Sequence, residues 1–297
     1  MPSSDIQKNV LKLGLPKGSL EAYTLELLAK SGWRVTVGSR SYFPGVNDPE
    51  LSLVISRAQE ISRYVAEGVL DAGITGRDWR LENESDVLVV EELLYSKASP
   101  MPARWVLAVP GDGRITKVSD LEGGKVATEL PEVTRRWFKE KGVNVSVEFS
   151  WGATEAKVAS GLADAIVEVT ETGSTIKAHG LKIIDEVLVT ATELMANKEA
   201  YNDPFKRVKI GQIALLLKGA LEAEGLVGLK MNVREAMAEN LIRLLPSLRA
   251  PTVAHLYQTD WLSVEVVISS SVVRELIPIL LAAGAEGIIE YPLNKVI

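Results

Sequence analysis

The sequence predicts an α/β fold in two parts, a two-lobed region of parallel or mostly parallel sheets followed by a small C-terminal ferredoxin-like (βαββαβ) domain. Three observations carry this expectation. Short β-branched runs alternate with helical patterns and glycine punctuation through the first part of the 297 residues, as parallel α/β sheets require. The stretch 95-YSKASPMPAR-104 interrupts that series with two prolines and little periodicity, marking a linker between two similar halves that face each other across a cleft. From Leu226 onward the order becomes strand, helix, strand, strand, helix, strand.

In chain order, the patterns predict a strand over 10–15, a helix over 19–32 with Ser19 as N-cap and Gly32 as stop, a strand over 51–55, and a helix over 58–67. Strands over 70–75 and 87–94 complete the first half. The second half is expected to hold strands at 105–109, 125–128, 145–149 and 163–169, with a helix over 132–141. The run 181–189 is expected to return the chain to the first half. This divides the molecule into lobe I (1–94 and 188–218), lobe II (95–187) and a third domain (219–297), in keeping with a length that exceeds one ~100–200-residue domain. The third domain is expected to hold strands over 226–233, 252–256, 263–269 and 287–291, and helices over 234–245 and 271–283; Pro278 speaks against an unbroken second helix.

Composition narrows the chemistry. With 46% apolar and 24% charged residues the chain reads as an ordinary globular protein. Its 33 Lys+Arg against 39 Asp+Glu give a net charge of -6, which offers no general attraction for nucleic acid or an anionic membrane. Any anion must be held locally. Cysteine is absent, which excludes disulfides, thiolate metal sites and thiol nucleophiles. Only His179 and His255 are present, so a Ser-His-Asp triad or a histidine-rich metal site is not expected, and both are assigned structural roles. The start, MPSSDIQKNVLKLG, lacks a signal-peptide pattern and no apolar run approaches ~20 residues, giving an expectation of a cytoplasmic protein.

The stretch 161-GLADAIVEVTETGSTIKAHG-180 joins an apolar strand to a helix through Thr172-Gly173-Ser174-Thr175. A helix start leaves amides unpaired and carries the positive end of the macrodipole, and flanking hydroxyls add donors, so the junction suits a phosphate. Glu168, at the end of the strand, could accept hydrogen bonds from two neighbouring hydroxyls, as carboxylates do on ribose. Together they describe a ribose 5-phosphate unit. The same residues also read as an ordinary helix cap with solvated acids, and spacing alone leaves both readings open.

At these residues, and in LPKGSL (15–20), ISRAQEI (55–61), LDAGITGRD (70–78), KVATELP (125–131), GATEAKVASGLADAIVEVTETGST (152–175), PTVAHLYQTDW (251–261) and GAEGI (284–288), the chain resembles the ATP phosphoribosyltransferase family. The tail resembles the regulatory domain of the family's long form. The resemblance implies a two-lobed, periplasmic-binding-protein-like catalytic region with 5-phosphoribosyl 1-diphosphate in the cleft and Mg²⁺ as cofactor. It implies that N1 of the adenine of ATP attacks C1 of the ribose and displaces pyrophosphate, the first step of histidine biosynthesis. Feedback inhibition by histidine and hexamers built from dimers are implied too. Such a displacement needs positioned anions rather than a His or Cys nucleophile.

Carried onto this sequence, the resemblance makes Glu171, Thr172, Gly173, Ser174 and Thr175 the 5-phosphate loop and Glu168 the ribose-reading acid, where the family more often has Asp. Lys17 and Arg57 become the cations for the pyrophosphate or triphosphate; after Arg57 many relatives read Pro-x-Asp, whereas this chain has Ala58-Gln59-Glu60. Asp71 and Gly76 resemble the floor of the nucleotide site, and Glu155 the acidic position of GATEA. Asn232, Thr252 and Gly287 match positions near the histidine site, with Asn232 where many relatives have an acid. The tryptophans, Trp151 included, are expected in the core. Two other readings keep to the same residues: a solute-binding protein, which would usually carry an export signal, and a phosphoribosyltransferase for another base.

Overall fold

The structure, a computed structural model, describes residues 9–38, 42–95, 103–152, 154–246 and 250–297. It divides into two compact units, Met1–Leu217 and Lys218–Ile297. In the first unit β1 (Leu11–Lys17), α1 (Glu21–Ser31), a short pair β2 (Val35–Thr36) and β3 (Gly45–Val46), β4 (Leu51–Arg57), α2 (Ala58–Ala66), β5 (Ala72–Gly76), α3 (Arg77–Glu82) and β6 (Leu88–Leu93) come first. There follow β7 (Ala103–Pro110), β8 (Lys125–Thr128), α4 (Pro131–Lys141), β9 (Ser146–Phe149), α5 (Thr154–Ala159), β10 (Ala165–Thr170), α6 (Ser174–Ala178) and β11 (Leu181–Thr190). The chain then enters β12 (Thr192–Ala196), α7 (Lys198–Asn202) and α8 (Pro204–Glu222).

Two five-stranded sheets result, ordered β4-β1-β5-β12-β6 and β11-β7-β10-β8-β9. In the first, β1 runs parallel to β4 and β5, while β12 is antiparallel to β5 and β6. In the second, β8 is parallel to β9 and β10, and β7 is antiparallel to β10 and β11. Each sheet is therefore mostly buried between helices, as near-continuous apolar strands such as Leu11, Leu13 and Leu15, or Val106 to Val109, require.

Two expectations are corrected here. The return strand is β12 and not the run 181–189: Leu181 to Thr190 pairs along β7 from Pro110 to Ala103, with two register shifts, and stays in the second sheet. Only Ala191 separates β11 from β12, so one residue carries the chain between sheets and the apolar pattern shows no break. Ser19 is not the cap of α1. The N-cap is Leu20 with no side-chain bond, and the Glu21 carboxylate instead accepts from the Gly18 amide at 3.3 Å. Most of the expected linker, residues 96–102, lies outside the described residues.

Helix α3, which the sequence reading did not include, ties the two sheets together. The Glu82 carboxylate accepts from the amides of Glu132 and Val133 at 3.0 and 2.9 Å, capping the start of α4. Arg136 on α4 donates back to the Leu81 carbonyl at 2.6 Å. On the first-sheet side, Glu193 of β12 is 1% exposed and accepts from Arg77 Nε at 3.0 Å and from Arg80 Nε at 2.7 Å. A Glu193→Gln variant is expected to unfold about 2 kcal/mol more easily in urea, less than the ~3–5 kcal/mol of a fully buried pair because the guanidiniums keep some water. An unchanged denaturation midpoint would show that the network contributes nothing to stability.

The second unit contains β13 (Leu226–Arg234), α9 (Glu235–Leu244), β14 (Thr252–His255), β15 (Trp261–Ser269), α10 (Ser270–Ala282) and β16 (Glu286–Pro292). Its antiparallel sheet has the order β14-β15-β13-β16, the ferredoxin-like arrangement. Leu229, Met231, Val264, Val266 and Ile268 pack under Leu241, Val273 and Leu280 of the two helices. Alternation places Lys230, Asn232, Ser263 and Glu265 on the opposite face. Helix α10 continues through Pro278, whose side is exposed.

Candidate active site

A cavity of about 720 Å³ opens between the two sheets of the first unit. It is formed by segments that follow strands: Lys17 to Leu20 after β1, Ala58 and Gln59 after β4, Gly76, Asp78 and Trp79 after β5, Glu129 after β8, and Glu168 to Thr172, Ser174 and Thr175 where β10 passes into α6. Carboxyl ends of parallel strands are where α/β sheets bind ligands. The floor is formed by Tyr95 and Ala103 and by Thr190, Ala191 and Thr192 at the passage from β11 to β12. Thr192 Oγ1 donates to the Tyr95 carbonyl at 3.0 Å, and the buried Tyr95 hydroxyl lies 2.8 Å from Thr24 Oγ1.

One wall is acidic. Glu168 is half-buried, and burial raises its pKa to about 7, with the charges of Glu129 and Glu155 acting in the same direction and the Val169 amide, at 3.2 Å, opposing. Beside it the loop has a left-handed turn at Gly173 (φ 78°) that starts α6. The Gly173 amide donates to Thr170 Oγ1 at 2.8 Å, and the Thr172 and Ser174 hydroxyls lie 2.9 Å apart. Those hydroxyls are exposed and adaptable.

The facing wall is cationic. Lys17 and Arg57 are register partners at the ends of β1 and β4, side by side on the cleft rim. Each rests on an aromatic ring: Lys17 Nζ lies 5.3 Å from the Tyr42 centroid and the Arg57 guanidinium 5.0 Å from the Trp151 centroid. Neither has an ion-pair partner among the described residues. At the floor, Asp78 is buried; burial holds its carboxyl above the usual carboxylate range although Trp105 Nε1 donates to it at 2.8 Å and the Trp79 amide at 2.9 Å. A Cβ on Gly76 would stand 2.0 Å from the Asp78 carboxylate, so a larger residue there would displace that buried side chain.

The architecture has clear counterparts. The family model for HisG, ATP phosphoribosyltransferase, matches residues 57–219, and that for the HisG C-terminal domain matches 223–295. The chain belongs to the ATP phosphoribosyltransferase family. An ATP phosphoribosyltransferase of Desulfatibacillum aliphaticivorans is 62% identical over 97% of this chain and 99% of its own. One of Geobacter sulfurreducens, ATP phosphoribosyltransferase 1, is 56% identical over the same shares. Among solved structures, the ATP phosphoribosyl transferase (HisG:HisZ) complex from Thermotoga maritima aligns with TM-score 0.62 and 30% identity over 72% of this chain and 98% of that one. Tv2483 bound to L-arginine aligns with TM-score 0.50 at 13% identity, over 73% of this chain and 87% of that one, a likeness of fold alone.

Against the residues that the family resemblance singled out, the structure brings Lys17, Gly76, Glu168, Glu171, Thr172, Ser174 and Thr175 to one cleft. Arg57 stands at its rim, and Gly173 turns the loop from behind. Glu155, on α5, is not on the cleft wall but lies close enough to raise the proton affinity of Glu168. Asp71 is a correction. It precedes β5, at the far end of the strand from Gly76 and roughly 15 Å from the cleft at ~3.3 Å per residue. Its carboxylate accepts from the Lys12 amide and from Lys206 Nζ, each at 2.8 Å, which is a structural role. Trp151 is another: it is 60% exposed at the cleft mouth and not in the core. Both histidines are outside the cleft wall, His179 Nδ1 lying 2.8 Å from the Thr175 carbonyl oxygen.

Sequence reasoning missed Glu129, Asp78 and the Tyr95–Thr192 floor. The first two lie inside KVATELP and GITGRD, so motif membership was the available signal. In the second unit a separate hollow of about 470 Å³ on the helix-free sheet face is lined by Lys230, Asn232, Thr252, Ser263, Glu265 and Gly287, among others. Asn232, Thr252 and Gly287 are thus brought together. Among the described residues no group of three or more His, Cys, Asp or Glu side chains is placed to hold a metal ion, and no helix is long and apolar enough to cross a membrane.

Proposed function

We propose that this chain transfers the 5-phosphoribosyl group of 5-phosphoribosyl 1-diphosphate to N1 of the adenine of ATP, releasing pyrophosphate, as the first step of histidine biosynthesis. The observation that carries the reading is the cleft itself: the Thr172–Thr175 loop and Glu168 on one wall, Lys17 and Arg57 on the other, in a chain whose ATP phosphoribosyltransferase relatives align along nearly its whole length. The loop hydroxyls and amides receive the 5-phosphate, and Glu168 accepts hydrogen bonds from the ribose hydroxyls. C1 then lies above the cleft floor. As the bond from C1 to the diphosphate oxygen breaks, positive charge grows on the ribose, the carboxylates of Glu168 and Glu129 stabilise it, and the N1 lone pair closes the new bond. Lys17 and Arg57 take the charge of the phosphates, and Gly76 gives the nucleotide a flat approach.

Mg²⁺ fits this arrangement as an ion borne by the diphosphate, because Mg²⁺ takes most of its ligands from phosphates and water and asks one or two carboxylates of a protein. Glu129 and Glu168 are the cleft carboxylates able to meet it, and when bound it offsets the charge of the leaving pyrophosphate. The protein is assigned to the cytoplasm and to a homo-oligomer, dimers building a hexamer, on the family resemblance. The hollow of the second unit, with Asn232, Thr252 and Gly287, is assigned to histidine as feedback inhibitor.

The deciding experiment offers the purified protein 5-phosphoribosyl 1-diphosphate and Mg²⁺ with ATP, orotate, hypoxanthine or nicotinate. The expected result is pyrophosphate and an adduct with ATP only. Turnover of another base without ATP turnover would reassign the chain within the phosphoribosyltransferases.

A further inference from the structure

We propose that Trp151 is a positioning residue that holds the Arg57 guanidinium in place across the cleft mouth for the phosphates of the incoming substrate. The inference rests on the reading of Arg57 as a phosphate cation. Arg57 ends β4 in the first sheet, whereas Trp151 follows β9 in the second, so the 5.0 Å stack joins the two walls. Trp151 is 60% exposed and therefore is not kept by burial. Two contacts nevertheless hold it: the ring lies 5.9 Å from Phe149, and the next amide, Gly152, donates to Glu129 Oε1 at 3.2 Å on the cleft wall.

Arg57 needs such a support. It is exposed and has no carboxylate partner among the described residues, so a long, rotamer-rich side chain would otherwise sample many positions. An indole face restrains the guanidinium through its π-system and leaves all five N–H donors free. A carboxylate in the same place would consume those donors and neutralise the charge that the phosphates need. The neighbouring Lys17 repeats the device with Tyr42, but within its own wall.

The test is a double-mutant cycle in the full-length chain with Trp151→Leu, Trp151→Phe, Arg57→Gln and the pair Trp151→Leu/Arg57→Gln, measuring KM for ATP and for 5-phosphoribosyl 1-diphosphate, kcat, and thermal unfolding. Trp151→Leu is expected to raise KM roughly two- to fivefold, as an exposed cation–π pair allows, for whichever substrate Arg57→Gln affects, with kcat and Tm unchanged. Trp151→Phe should restore most of that loss, and Trp151→Leu should add nothing once Arg57 is Gln. An unchanged KM in Trp151→Leu, or an equal rise in the Arg57→Gln background, overturns the inference alone. Wild-type kinetics in Arg57→Gln would remove the proposed role of Arg57 and the inference with it.

Discussion

Replacing Glu168 by Gln is expected to lower kcat/KM for 5-phosphoribosyl 1-diphosphate by roughly ten- to a hundredfold. The substitution keeps shape and length but removes the charge that strengthens hydrogen bonds from ribose hydroxyls, an effect of ~1.5–3 kcal/mol at ~1.4 kcal/mol per decade. Because burial raises the free carboxyl to about 7, the wild-type enzyme should show kcat/KM rising with pH through that value, as the acid ionises. The Gln variant should lack this limb. Stability moves oppositely: between the unfolded value near 4.5 and about 7 the unfolded chain releases its proton first, so Glu168 detracts from stability as pH rises, and the variant should be no less stable at pH 8. A fall in activity accompanied by a lower Tm at pH 8 would point to misfolding and not to a lost ribose contact. Wild-type kinetics would return the loop to the status of a helix cap.

Saturating histidine is expected to change substrate affinity or turnover by roughly five- to a hundredfold, the range of ~1–3 kcal/mol coupling free energies. A free amino acid needs one partner for its carboxylate and one for its ammonium, and the hollow of the second unit holds both Lys230 and Glu265. Glu265, which accepts from the Tyr291 hydroxyl, supplies an acid in the pocket where Asn232 is neutral. Lys230→Met should weaken histidine binding about tenfold by removing a charge-assisted hydrogen bond. Calorimetry read beside the activity assay decides: no heat of binding and no inhibition would make the unit an assembly module.

Much of the architecture was legible because it rests on local signals. Alternation in β15 and the glycine stop at Gly32 are properties of short windows, and the ferredoxin-like order followed from them. Helix α8 was equally open to such reading, with Ile210, Ile213, Ala214 and Leu217 buried at helical spacing, although the expectation did not cover it. The return strand was not legible in the same way. A one-residue change of sheet at Ala191 leaves no turn signal, and strand partners are set by distant residues. At the site, the loop 171–175 announced itself through its hydroxyls and glycine. Asp71 misled because one motif, LDAGITGRD, runs the length of β5, so Asp71 and Gly76 lie at opposite ends of that strand. Trp151 misled because tryptophan is usually buried, and only the position of β9 brings it to a cation.

The bonds made by α3 give the catalytic unit a mechanical asymmetry. On that side the two walls are riveted by the carboxylate of Glu82 on α4, by Arg136 on the Leu81 carbonyl and by the buried Asp78–Trp105 contact. On the rim that carries Lys17 and Arg57, the walls meet in the soft stack of Arg57 on Trp151. Were the cleft to open with these bonds intact, it would turn about α3 and part first at the weaker tie, where Arg57 stands on Trp151. Such an opening would expose the rim that carries Lys17 and Arg57 before the rest of the cleft.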